Sequence, residues 1–131
     1  TFTSTGRAGV KVLRLEPSLI LMPGELYLGV TSEYTETWDC VPKLDGKSSL
    51  ARMGVSVHCT AGFGDVGFCG HWTLEITVTK PTVLYAGMDV AQIYYEPIDG
   101  EIDLLYSARE QSKYNNKRSK NPLPNISRYK L

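Results

Sequence analysis

The stretch "HCTAGFGDVGFCGHWTLE" (58–75) holds both histidines of the chain, two of its three cysteines, an aspartate set among glycines, and a glutamate. Two kinds of chemistry could be built from such residues: a metal site, or acid–base work by a carboxylate alone. The metal reading fails on spacing. Structural zinc sites show tight ligand pairs such as C-x2-C, whereas here His58-Cys59 is followed by Cys69-x-His71. Neighbours on a strand point to opposite faces, so His58 and Cys59 are poorly disposed to chelate one ion. The H-x-E and P-C-x-x-C signature of zinc-dependent nucleobase chemistry is missing as well. Cys59 and Cys69 are therefore expected to be small buried apolar residues, and His58 and His71 partly buried polar ones.

Glu75 is the carboxylate in question. In "HWTLEITV" (71–78) strand alternation puts Trp72, Leu74, Ile76 and Val78 on an apolar face, and His71, Thr73, Glu75 and Thr77 on a polar one. That polar face is either a solvated sheet surface, the commoner case in antiparallel sheets, or the floor of a cleft. "LDGKSS" (44–49) resembles the end of a P-loop. The glycine required five residues before the G-K pair is replaced by Val41, and no long helix follows. Lys47, Ser48 and Ser49 could still form an anion-binding turn, or simply a capped one. In "TAGFGDVGF" (60–68), Gly62, Gly64 and Gly67 surround Asp65. They either let backbone approach a ligand closely or make a bulged turn that Asp65 caps.

The elements that would position these groups are short. "GVKVLRL" (9–15), "ELYLGVT" (25–31), "VSVHCT" (55–60), "HWTLEITV" (71–78), "TVLYAGM" (82–88) and "VAQIYYEPI" (90–98) read as strands. They are broken by "MPGE", "LDGK", "AGFGDVG", "TKP" and "IDGE". One stretch differs: "SSLARMG" (48–54) has helix formers between a serine start and a glycine stop, predicting one or two helical turns. Ser48 and Arg52, four apart, share a face of it. The segment 101–114 reads as extended or as a short helix, and loop is expected beyond Tyr114. Many short strands and one small helix predict an all-β sandwich, jelly roll or barrel.

Composition agrees with one soluble globular domain over residues 1–131. The chain is 42% hydrophobic and 21% charged, with formal net charge zero; nothing global points to nucleic acid or a membrane as partner. An odd cysteine count fits a reducing cytoplasm better than a disulfide framework. Charge is unevenly placed. Residues 113–131 carry six basic side chains and no acid, leaving an excess of six negative charges on the rest. Such a tail is either a solvated terminus or a lid over a polyanion.

Taken together, "PGELYLGVTSEYTE" (23–36), "LDGKSSLARMGVSVHCTAGFGDVGFCGHWTLEI" (44–76), "LYAGMDVAQIYYEP" (84–97) and "YSAREQSKYNNK" (106–117) resemble the dCTP deaminase family of the trimeric dUTPase-like superfamily. The resemblance runs from about Pro23 to Lys117. It implies a distorted β jelly roll, a homotrimer with active sites between subunits, and zinc-independent hydrolysis of dCTP to dUTP and ammonia. Magnesium would travel with the triphosphate, and dTTP is an expected inhibitor. The family's N-terminal helix and first strands are expected to have no counterpart here.

The resemblance also assigns roles. Glu75 matches the catalytic glutamate. Ser48 and Arg52 match the serine and arginine flanking the water and the ring. Lys47 and Ser49 would contact phosphate. The main chain of His58, Cys59, Thr60 and Ala61 would read the cytosine edge, and Asp65 would hold the sugar 3′-hydroxyl. Tyr106, Lys113 and Lys117 would meet the triphosphate within a C-terminal segment whose residues 115–131 act as a flexible lid. Two departures stand out. Gly64 replaces an isoleucine expected to pack on the sugar, which leaves exclusion of a 2′-hydroxyl to Phe63 or Phe68; Val66 replaces a proline. The sister activity, dUTPase, is the alternative, since "AG-x-x-D" is shared. A bifunctional enzyme would use both Asp65 and Glu75. A non-catalytic nucleotide-binding relative on the same fold is the remaining reading.

Overall fold

The computed structural model of the chain describes residues 2–6, 9–13, 18–110 and 112–114, the first two stretches as backbone pairing alone. Strands dominate. They are β1 (Phe2–Gly6), β2 (Gly9–Leu13), β3 (Ser18–Leu21), β4 (Tyr27–Glu36), β5 (Cys40–Gly46), β6 (Val55–Ser56), β7 (Cys69–Val78), β8 (Thr82–Tyr85) and β9 (Ala91–Pro97). Among the described residues one α-helix, α1 (Ser48–Arg52), and a 3₁₀ turn at Tyr106–Ala108 complete the order. Every pairing is antiparallel: a five-stranded sheet β2-β1-β4-β7-β6, and two ribbons, β3-β8 and β5-β9. The expected all-β class with one short helix is the observed one. No helix among the described residues is long and apolar enough to cross a membrane.

The core collects where the alternation of β7 meets the ribbons. Trp72, Leu74, Ile76 and Val78 are buried, together with Leu21, Tyr27, Leu44, Leu50, Val55 and Leu84. Ile76, Leu21 and Leu84 are completely sequestered, each contributing roughly 1.5–3 kcal/mol of apolar burial. β4 carries an irregularity between Val30 and Tyr34, so its two halves meet β7 in different registers. That is the local bend expected of a β-bulge.

Several sequence expectations need correction. Strand is retained in "VSVHCT" only at Val55–Ser56. The Val57 carbonyl still accepts the Glu75 N–H at 2.9 Å, but Gly62 then crosses to β5, where its carbonyl accepts the Leu44 N–H at 2.7 Å. His58 and Cys59 therefore do not alternate on a strand. Cys59 is exposed rather than buried, while Cys69 is buried as expected. "LDG" is no break, because it closes β5, which the sequence reading missed along with β1 and β3. β5 tolerates Pro42 because that carbonyl is what the strand offers its outer neighbour, accepting the Gly64 N–H at 2.8 Å. The N-cap of α1 is Lys47, not a serine, and it makes no side-chain cap bond. Gly54 ends the helix as foreseen, with φ +83°.

Candidate active site

Glu75 sits opposite Leu28 of β4, in the middle of β7. Its flanking residues Leu74 and Ile76 point inward, so its own side chain emerges on the polar face, where it is half-buried. Burial is the main reason its carboxyl is pushed above the ordinary 4.5; a backbone hydrogen bond within the residue and the nearby His58 ring oppose the shift. The chain leaving β6 runs alongside it, since the Val57 carbonyl accepts the Glu75 main-chain N–H.

His58 fastens that segment to β5. Its Nε2 lies 3.0 Å from the Leu44 carbonyl; a carbonyl only accepts, so Nε2–H donates. Nδ1 is then left buried with no partner among the described residues. Gly62 makes the approach feasible, because a Cβ there would meet the Leu44 oxygen at 2.5 Å and His58 Nε2 at 2.7 Å. Cys59, Thr60 and Ala61, the remainder of the expected base-reading stretch, are exposed.

Ser48, Ser49 and Arg52 project from α1 into solvent, while Leu50 anchors the helix in the core at 3% exposure. The Lys47 ammonium stands 3.8 Å from the Asp89 carboxylate. Gln92 of β9 donates to the Gly46 carbonyl at 3.0 Å, tying the entry to α1 onto the neighbouring strand. Through β6, whose Val55 pairs with Val78, the helix is adjacent to the end of β7. Among the described residues, however, no hydrogen bond or ion pair joins Ser48, Ser49 or Arg52 to Glu75.

Asp65 opens a tight turn in which its carbonyl accepts the Phe68 N–H at 3.1 Å. The C-terminal segment docks on this turn. The Tyr106 N–H donates to the Val66 carbonyl at 2.9 Å, and the Tyr106 ring meets Phe68 edge-on at 5.9 Å. Phe68 in turn packs on Trp72 at 5.3 Å. Arg109 reaches the Asp65 carboxylate at 3.7 Å, and the Tyr106 hydroxyl accepts the Tyr114 N–H at 3.0 Å. Lys113 is half-buried in the same segment. Lys117 and the expected lid at 115–131 lie outside the described residues.

Position 64 faces the protein interior. Gly64 is buried, and a Cβ on it would strike the Trp72 ring at 2.5 Å and Pro42 at 2.7 Å. Phe68 is committed to Trp72 and Tyr106, whereas Phe63 is 64% exposed. A separate cleft of about 560 Å³, lined by Val30, Trp72, Leu74, Met88, Val90 and Ile93 among others, opens on the other face of β7 and excludes Glu75.

The four residues once eligible for a metal go separate ways. Cys69 bonds to the Gly67 carbonyl, His71 to the Thr31 carbonyl and His58 to Leu44, while Cys59 is exposed. Among the described residues no three His, Cys, Asp or Glu side chains come together as an ion would need. Two residues of this region were missed in the sequence. Val57 read as ordinary strand, and Arg109 lay inside "YSAREQSKYNNK" without any local signal that it would meet Asp65.

Comparison with known proteins adds a family. A family model described as dCTP deaminase-like matches residues 7–98, beginning earlier than the motifs that first carried the resemblance. A protein of Leptospira biflexa serovar Patoc, named dCTP deaminase, dUMP-forming, is 52% identical over 104 residues, 79% of this chain and 60% of that protein. One of Clostridium botulinum strain Eklund 17B with the same name is 50% identical over 102 residues, covering 78% and 59%. A third so named, from Clostridium acetobutylicum, is 46% identical over 112 residues, covering 86% and 62%. The chain thus spans about three fifths of the length of these relatives.

Proposed function

The chain belongs to the dCTP deaminase-like family, and on that premise we propose that it hydrolyses dCTP to dUTP and ammonia, with Glu75 moving the protons. One observation carries the reading: a half-buried carboxylate on the polar face of β7, raised by desolvation, with the His58 ring near it and the segment after β6 bonded to its main chain. Attack on the ring carbon bearing the amino group requires a water that loses a proton as it adds. A carboxylate poised above its ordinary range takes that proton, then returns it to the ring nitrogen or to departing ammonia. This is worth about 10²–10⁴ in rate; the remainder comes from placement and fixed dipoles.

Each further residue has its part in the same reading. Ser48 and Arg52 flank the water and the ring. The main chain of His58, Cys59, Thr60 and Ala61 reads the cytosine edge, and Asp65 accepts from the sugar 3′-hydroxyl. Lys47, Ser49, Tyr106, Lys113 and Lys117 face the triphosphate. Cations and hydroxyls of this kind suit phosphate oxygens better than a resident metal, so magnesium belongs with the substrate, where it offsets part of the phosphate charge. Ser48, Ser49 and Arg52 are exposed on the single chain, as an interfacial site completed by neighbouring copies in a homotrimer requires. dTTP, sharing sugar and triphosphate, is the expected inhibitor, and the cytoplasm is the compartment of such substrates.

A second reading is favoured by the relatives' names, which specify dUMP as product. Asp65 and Glu75 are both present, so deamination followed by hydrolysis to dUMP and diphosphate is open to the same site. Incubation with dCTP and magnesium, with both products identified, tests the pair. Ammonia with dUTP supports the first reading, and ammonia with dUMP and diphosphate the second. No ammonia from the full chain overturns both.

A further inference from the structure

The ion pair between Arg109 and Asp65 is an unusual use of an arginine. At 3.7 Å, with side chains 46% and 44% exposed, it adds little to stability, because water screens such pairs and ordering them costs entropy. Yet its geometry is imposed from outside. The Tyr106 N–H is bonded to the Val66 carbonyl, the residue next to Asp65, and the Arg109 N–H to the Tyr106 carbonyl at 3.2 Å. Leu105 lies so close to Gly67 that a Cβ there would come within 2.7 Å of it. Two main-chain links and a close backbone approach therefore carry the guanidinium to the carboxylate. Arg109 engages Oδ1, leaving Oδ2 as an acceptor on the turn.

We propose that Arg109 is a positioning residue for Asp65: it fixes the carboxylate so that Oδ2 accepts the sugar 3′-hydroxyl, and so couples sugar recognition to docking of residues 105–109. This inference rests on the proposed dCTP chemistry and on the role of Asp65 within it. Recognition of the sugar 3′-hydroxyl is then stronger while residues 105–109 are seated, and a nucleotide bound without that segment is held less firmly at its sugar.

The test compares dCTP with 2′,3′-dideoxy-CTP in the full chain, wild type, Arg109→Ala and Arg109→Lys. The wild type prefers dCTP in kcat/KM. In Arg109→Ala that preference falls about five-fold, the size a half-exposed ion pair can transmit, with the loss on dCTP alone. Arg109→Lys recovers part of it, because an ammonium can still reach the carboxylate. Thermal unfolding of both variants stays close to wild type. An unchanged preference in Arg109→Ala overturns the inference, and so does an equal loss on both nucleotides, which would put the guanidinium on the phosphates. A wild type that turns over dCTP without preferring it to the dideoxy analogue also overturns it, while leaving the deaminase reading intact. A wild type that turns over neither removes the deaminase reading itself.

Discussion

Replacing Glu75 by glutamine separates chemistry from architecture. The amide is nearly the shape of the acid, and the bond that ties the segment after β6 to residue 75 runs from its main chain to the Val57 carbonyl, 2.9 Å away; the substitution leaves that bond in place. What disappears is the capacity to accept and return a proton. The expected loss in kcat is about 10²–10⁴, or roughly 3–5 kcal/mol at the transition state, with dCTP binding retained. Stability should move the other way at neutral pH. Burial holds the folded carboxyl above its ordinary 4.5, so the fold prefers the protonated form. That contribution is fully present below the unfolded value and is lost as pH rises from 4.5 through the folded value. Wild type therefore loses thermal stability across this window relative to Glu75→Gln, which has no such proton. Ammonia release, calorimetric dCTP titration and unfolding scans between pH 4 and 8 read all three quantities. A variant turning over within ten-fold of wild type would sink the proton-transfer argument. Parallel stability curves against pH would show that residue 75 is not desolvated by the fold.

Gly64→Ala forces a methyl to within 2.5 Å of the Trp72 ring and 2.9 Å of the Pro42 carbonyl; overpacking of this kind costs about 1–3 kcal/mol, read as a fall of several degrees in Tm. Gly67→Ala meets both a φ of +88° and Leu105 at 2.7 Å, so it should unseat residues 105–109. Its kcat/KM should fall by about ten-fold or more, with faster proteolysis of that segment as the direct readout. Lys47→Ala removes a cation whose ion-pair partner among the described residues is the exposed Asp89 at 3.8 Å. Stability should hardly change, KM for dCTP should rise several-fold, about 3–10 times, and its dependence on ionic strength should weaken.

Much of the candidate site was written into local sequence. The alternation in residues 71–78 put Glu75 on the polar face of β7 because side chains on a strand repeat every two residues, whatever lies elsewhere. The extent of α1 followed from "SSLAR" closed by Gly54, and the Asp65 turn from its flanking glycines, since each is a choice made within one or two turns of chain. Tertiary structure decided the rest. "VSVHCT" has the residues of a strand, yet it leaves the sheet after Ser56 because Gly62 and His58 find partners on β5, at Leu44. Cys59, apolar enough to be assigned to the core, is carried to the surface by that departure. Gly64 turned inward because Pro42 and Trp72 fill the space a side chain would need, and Arg109 met Asp65 across 44 residues of chain. Periodicity encodes which way a side chain points along its own strand. Which distant carbonyl, ring or carboxylate it then encounters is set only when loops close, and no local pattern contains that information.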